Sequence, residues 1–130
     1  MAQILVVDDN VVNLKLAAAV LMSSGHAVLR AADADEAQQL LAHTVPDLIL
    51  MDIALPGMDG LTLTRRLKAD PRLARVPVLA LTAFAMKGDD AKAREAGCDG
   101  YITKPIDTRA LPRMIEQALQ QAGSAAKPRT

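Results

Sequence analysis

Four apolar runs in this chain are each followed at once by residues able to take part in ion or phosphate chemistry. Asp8 and Asp9, with Asn10 behind them, end the run Ile4-Leu5-Val6-Val7, and Asp52 ends Leu48-Ile49-Leu50-Met51. Thr82 closes the run from Val76 to Leu81, and Lys104 with Pro105 comes just after Tyr101-Ile102. If these runs are parallel strands of one sheet, three carboxylates, a hydroxyl and an ammonium meet at a single rim, where open parallel sheets bind their ligands. Clustered carboxylates repel one another, and burial penalises each charge further. A divalent cation relieves both, and hard oxygen ligands with room for water and phosphate suit Mg²⁺ at about 2.0–2.1 Å, with Mn²⁺ as an alternative ion. The lysine then neutralises an incoming phosphate and the threonine bonds one of its oxygens. Such a set supports phosphoryl transfer to a carboxylate, in which positioning and charge stabilisation do most of the catalysis.

Each piece also has a plainer reading. Asp8, Asp9 and Asn10 are common helix-capping residues. Asp52 precedes a stretch containing Pro56, Gly57 and Gly60, and Asp beside Gly and Pro is an ordinary turn residue. It is their joint occurrence at the ends of four different runs that favours a site.

The elements that must hold these residues are legible as alternation. With Ala27-Val28-Leu29 there are five apolar runs; the first, third and fourth are nearly continuous, as in strands covered on both faces. Between them Leu14, Ala17, Ala18 and Leu21 follow helical spacing, as do Ala37, Leu40 and Leu41, and Leu111, Ile115, Ala118 and Leu119. Asp33 followed by Glu36 predicts a capping box, and Gly25 and Gly97 stand where helices should stop. The fold class is therefore α/β, a parallel sheet between helices with right-handed crossovers. A helix from about Met86 to Ala96 carries mostly alanine on its apolar side, so little buried area anchors it.

Composition narrows the class. At 130 residues the chain suits one domain, assigned to residues 1–122, with 123–130 (GSAAKPRT) as a flexible tail or linker stub. Fifteen Lys plus Arg balance fifteen Asp plus Glu, so no overall field favours nucleic acid or membrane. The single Cys98 fits a reducing compartment. Neither a secretion signal nor an apolar run of about 20 residues is present. A cytoplasmic location is expected.

The motifs ILVVDDN (Ile4–Asn10), DLILMDIALPGMDG (Asp47–Gly60), PVLALTAFAMK (Pro77–Lys87) and GCDGYITKP (Gly97–Pro105) resemble the CheY-like receiver domains of response regulators over Gln3 to Gln121. Within that family Ala80–Gly88 (ALTAFAMKG) and Gly97-Cys98 are similar to single-domain cell-division regulators of the DivK type; receiver domains fused to histidine kinases carry similar wording. The resemblance implies a single-domain doubly wound (βα)5, flavodoxin-like fold with strand order 2-1-3-4-5. It implies Asp52 as phosphoacceptor, with Asp9, Asp52 and the Ala54 carbonyl binding Mg²⁺ directly and Asp8 through water. Lys104, Thr82 and Ala83 would meet the phosphoryl group, Tyr101 would swing inward as a switch, and the Lys104–Pro105 bond would be cis. Ala54 and Phe84, two residues beyond Asp52 and Thr82, lack side chains able to bond an attacking water, which implies a long-lived phosphoryl state.

The implied partners are a sensor histidine kinase or histidine phosphotransfer protein, and a downstream protein on the face of the fourth helix, fifth strand and fifth helix. Three other functions compete. One is a receiver excised from a larger hybrid kinase or output protein. Another is an interaction module that is never phosphorylated. The third is an aspartyl-phosphate phosphatase of the haloacid dehalogenase type, which needs acids two residues apart on the first strand; here they are adjacent. His26 and His43 have no other metal ligand near them in sequence. Cys98, Met51, Met58 and Met86 read as packing residues, and Arg65-Arg66 and Arg109/Arg113 as solvated helix faces.

Overall fold

The computed structural model describes residues 2–55, 57–58, 60–82, 89–104 and 106–126. Strands and helices alternate: β1 (Gln3–Val7), α1 (Val11–Ser23), β2 (Ala27–Ala31), α2 (Ala34–Leu41), β3 (Leu48–Asp52), α3 (Gly60–Ala69), β4 (Val78–Thr82), α4 (Asp89–Ala96), β5 (Gly100–Thr103) and α5 (Leu111–Ala126). The strands form one parallel sheet in the order β2-β1-β3-β4-β5. This is the α/β, doubly wound, flavodoxin-like arrangement expected.

The direction of winding decides which helix covers which face. From β1 the chain steps outward to β2, then returns across β1 to β3 and continues to β4 and β5. With crossovers of one hand, that reversal puts α1 on the face opposite α2, α3 and α4. The two buried clusters agree. Leu5, Val7, Ile49, Met51, Val78 and Ala80 pack with Ala37, Leu41, Leu63, Leu67 and Ala93 on one side. Ile4, Val6, Leu48, Leu50, Leu79 and Leu81 pack with Leu14, Ala17, Leu21, Leu111 and Ile115 on the other. Successive side chains of each strand therefore enter different cores, and β3 and β4 are buried at every position. This is why the runs read as continuous rather than alternating.

The local signals hold with small shifts. Val76 and Pro77 precede β4, because a proline has no N–H for the ladder, although the Pro77 carbonyl accepts from Ile49 N–H at 2.9 Å. Gly25 and Gly97 take positive φ, +90° and +109°, as helix stops. Asp33 caps α2 by accepting from Glu36 N–H at 2.8 Å, while the Glu36 carboxylate accepts from Ala32 N–H at 2.9 Å, one residue further back than a capping box expects. The last helix runs to Ala126, into the segment read as a tail from residue 123. Adding alanines to an established helix costs little, so Gly123 does not stop it. The first residues of the helix expected from Met86 lie outside the described residues; the part described begins at Asp89.

Replacing Asp33 by alanine removes the α2 cap and should lower stability by about 1 kcal/mol. Glu36→Gln, which retains an acceptor oxygen, should be close to neutral. Urea unfolding of the two variants measures the difference.

Candidate functional site

Register brings the acids together. Val7 pairs with Met51, so the next residues, Asp8 and Asp52, leave neighbouring strands side by side. They do so where the sheet's winding reverses, between β1 and β3, which opens a crevice at the carboxyl edge. Asp52 in turn pairs with Leu81, and Thr82 with Thr103, so Thr82 and Lys104 border the same crevice. Carboxylate oxygens of Asp8, Asp9 and Asp52 all lie within 4.8 Å of one another. Asp8 and Asp52 are buried, at 1% and 3% exposure, whereas Asp9 is exposed.

Lys104 supplies the compensating charge. Its Nζ stands 2.9 Å from Asp8 Oδ2 and 3.0 Å from Asp52 Oδ2. The bond to Asp52 is a well-directed hydrogen bond. At Asp8 Oδ2 the ammonium is close but not aligned as a donor, so this buried oxygen has a charge partner and no hydrogen bond. The other oxygens are held by the backbone: Asn10 N–H donates to Asp8 Oδ1 at 2.9 Å, and Ala54 N–H to Asp52 Oδ1 at 2.9 Å. The lysine backbone is fixed too, its N–H donating to the Thr82 carbonyl at 2.6 Å.

Burial raises the Asp8 carboxyl above the ordinary carboxylate value, with the neighbouring Asp52 charge adding to it; the Asn10 amide and Lys104 only partly offset this. Burial alone would lower the Lys104 ammonium, but its close contacts with the Asp8 and Asp52 carboxylates and their charge outweigh it, and the net direction is up. Two buried acids share one cation, leaving net negative charge and an unbonded inward oxygen. These residues fit a divalent cation, since oxygen donors of one charge sign need just such a counter-ion.

Most of the expected site residues are thus in one place: Asp8, Asp9, Asp52, Ala54, Thr82 and Lys104 line the crevice. Ala54 contributes a backbone N–H to Asp52 in addition to the carbonyl foreseen for it. Tyr101, one strand over and opposite Ala80, is half-buried against the face covered by α2, α3 and α4. Ala83, Phe84 and Pro105 lie outside the described residues, and with them the expected cis bond and the part expected of Phe84 in phosphoryl lifetime. Asn10 is the N-cap of α1, its side chain accepting from Val12 and Asn13 N–H, which is the plain reading of that position. Cys98, Met51 and Met58 pack in the core as expected, and Arg65, Arg66, Arg109 and Arg113 are exposed. His26 is buried with Nδ1 accepting from Ala2 N–H at 3.1 Å, far from the acids.

One residue was legible only as a turn former. A side chain on Gly60 would overlap the Asp52 carbonyl oxygen and bring Cβ to 2.7 Å from Ile53 Cα. Its N–H donates to the Ile53 carbonyl at 3.2 Å, folding the loop after β3 back on the acid. Nothing in sequence spacing marks that close approach.

The family model for the response regulator receiver domain matches residues 4–116. The chain belongs to that family. The receiver is 44% identical over 122 residues to the polar-differentiation response regulator DivK of Brucella anthropi, covering 94% of this chain and 97% of that one, and it is of the DivK type. It superposes on the receiver domain of the sensor histidine kinase PA1611 of Pseudomonas aeruginosa with a TM-score of 0.84 at 37% identity (92% and 98% coverage); that structure has a magnesium ion coordinated in its active-site cleft. A CheY-like receiver domain protein of Methanospirillum hungatei gives a TM-score of 0.89 at 28% identity, covering 97% of this chain and 99% of that one. Membership makes this receiver a signalling switch of two-component systems rather than a turnover enzyme, which sets the dehalogenase-type reading aside.

Because Asp8 titrates above its ordinary range in the fold, its ionisation opposes folding. Stability is fully present below the unfolded carboxylate value and declines as pH rises through the raised one. In metal-free buffer at neutral pH, Asp8→Asn should therefore be more stable than wild type, because Lys104 keeps Asp52 as its partner while the uncompensated buried charge is gone. The gap should close in acid, where Asp8 is neutral in both states. Thermal unfolding at the two pH values tests it; a variant less stable at neutral pH would contradict it.

Proposed function

We propose that this receiver accepts a phosphoryl group on Asp52 in a Mg²⁺-dependent reaction and thereby changes which protein it binds. The observation that carries the reading is the Lys104 ammonium within 3.0 Å of both buried acids, a cation already placed where phosphate charge would arrive. Asp9, Asp52 and the Ala54 carbonyl would hold the ion, with Asp8 acting through a water, and Mn²⁺ would serve in the same site. When bound, the ion screens the acids from one another and from the incoming phosphate.

The donor of this reading is a phosphohistidine on a sensor histidine kinase or a histidine phosphotransfer protein. One Asp52 oxygen attacks phosphorus; an O–P bond forms, the N–P bond breaks, and its electron pair leaves on the imidazole, which regains a proton from solvent. The Ala54 N–H holds the carboxylate in line, and Lys104 keeps its charge beside the transferred group. Phosphorylation adds about −1.5 to −2 charges, and Thr82, with the neighbouring Ala83, lies next in line to bond the new oxygens. A kinase must cover the crevice to reach Asp52. Four exposed apolar residues, Val11, Val12, Leu16 and Met22, run along α1 from the crevice rim and offer it a surface. The downstream protein would dock on α4, β5 and α5, where Tyr101 can report the change.

Incubation with Mg²⁺ and acetyl phosphate should add one phosphoryl mass to the wild type and none to Asp52→Asn, with none in excess chelator. An adduct surviving in Asp52→Asn would refute the assignment.

The lifetime of the adduct follows from two small or apolar side chains. Ala54 and Phe84 offer no group to orient water at phosphorus, so Ala54→Asn combined with Phe84→Glu should lose phosphate several-fold faster. Decay no faster than wild type, followed by intact mass, would contradict this.

A further inference from the structure

The edge of the sheet opposite the crevice carries a second ion pair that phosphoryl chemistry does not use. Lys68, in the last turn of α3, places its ammonium 2.7 Å from the Val76 carbonyl, 3.4 Å from the Ala74 carbonyl and 2.9 Å from Asp99 Oδ2. The same Asp99 oxygen accepts from Val78 N–H at 2.8 Å, and Asp99 N–H donates to the Val78 carbonyl at 2.7 Å. The lysine stem crosses directly beneath Gly97: a Cβ there would come within 2.8 Å of Lys68 Cγ. Gly97, at φ +109°, ends α4, with Gly97 N–H donating to Arg94 and Cys98 N–H to Ala93. One side chain thus ties together the end of α3, the turn before β4 and the end of α4.

An exposed ion pair contributes little, and Asp99 is 48% exposed, but the Lys68 side chain is only 18% exposed and its ammonium bonds two backbone carbonyls that lie outside the strands. Of residues 91–96, only Ala93 and Ala96 are buried, and two methyl groups bury little area. Over its described side chains the helix is therefore tied at its carboxyl end and seated by Ala93 and Ala96 alone, while its amino end is the one joined through residues 83–88 to Thr82.

We infer that Lys68 and Asp99 form a fixed pivot, and that α4 is displaced by swinging about its carboxyl end rather than by leaving the sheet as a whole. Lys68 is a positioning residue: it touches none of the phosphoryl site and sets how movement at Thr82 is delivered to the α4 surface. As a route for the signal this rests on the phosphoacceptor reading; as a mechanical property of α4 it does not.

Amide hydrogen exchange and chemical shifts, followed by NMR on the full chain, test it. In the unphosphorylated wild type, Cys98 and Asp99 amides should exchange more slowly than Ala93 and Arg94. Lys68→Met should speed Cys98 and Asp99 by about tenfold or more, the effect of losing a charged hydrogen bond, with Leu79 and Ala80 unaltered. Asp99→Asn, which keeps an acceptor for Val78 N–H, should give a smaller change in the same amides. After acetyl phosphate and Mg²⁺, with the adduct verified by mass on the same sample, shift changes should concentrate in residues 91–94 and spare 97–99. Uniform protection along α4, indifference of Cys98 and Asp99 to both substitutions, or equal shifts at its two ends would overturn the pivot. A missing adduct would count against Asp52 as phosphoacceptor, and the unphosphorylated variants would still decide the pivot.

Discussion

Everything at the carboxyl edge of this sheet depends on one ammonium group shared by two buried carboxylates. Without Lys104, Asp8 and Asp52 would be like charges on adjacent strands in a dry crevice, an arrangement that costs far more than any local hydrogen bond returns. With it, one negative charge is compensated and one remains, a balance that fits a further cation. Burial is the chief cause that raises the Asp8 carboxyl, and the Asp52 charge adds to it.

The sheet makes this compromise affordable. Strands β3 and β4 are buried throughout, and β1 at every position but Gln3, and two separate hydrophobic clusters, one on each face, fix their register. A register slip would exchange the two faces of a strand, although with both faces apolar the helices, not the alternation, must forbid it. Rigid strands then deliver Asp52 and Lys104 from residues 52 apart to within 3.0 Å. Over residues 91–96 only Ala93 and Ala96 are buried, so little apolar area opposes local opening there.

The two ends of the sheet have different tasks. At the carboxyl edge, polar groups are incompletely satisfied, as in the unbonded Asp8 Oδ2. At the amino edge, around Lys68 and Asp99, the ammonium and the carboxylate bond the backbone at several points. An incompletely satisfied group responds to a ligand; a satisfied one resists displacement.

The sequence by itself determined the alternation of elements, the helix faces of α1 and α5, the stops at Gly25 and Gly97, and the identity of the acids, because each follows from periodicity or backbone preference within a few residues. The receiver resemblance, carried by four short motifs, supplied the strand order, whereas the grouping of Asp8, Asp9, Asp52, Thr82 and Lys104 was already legible from the polar residues that close the apolar runs. Tertiary structure alone decided how charge is divided among them: which oxygen Lys104 bonds, which it merely approaches, and that Ala54 N–H holds Asp52. It also decided the close seat of Gly60 on the Asp52 carbonyl and the Lys68–Asp99 tie across 31 residues. Those features depend on distances between segments remote in the chain, and one-dimensional spacing carries no record of such distances.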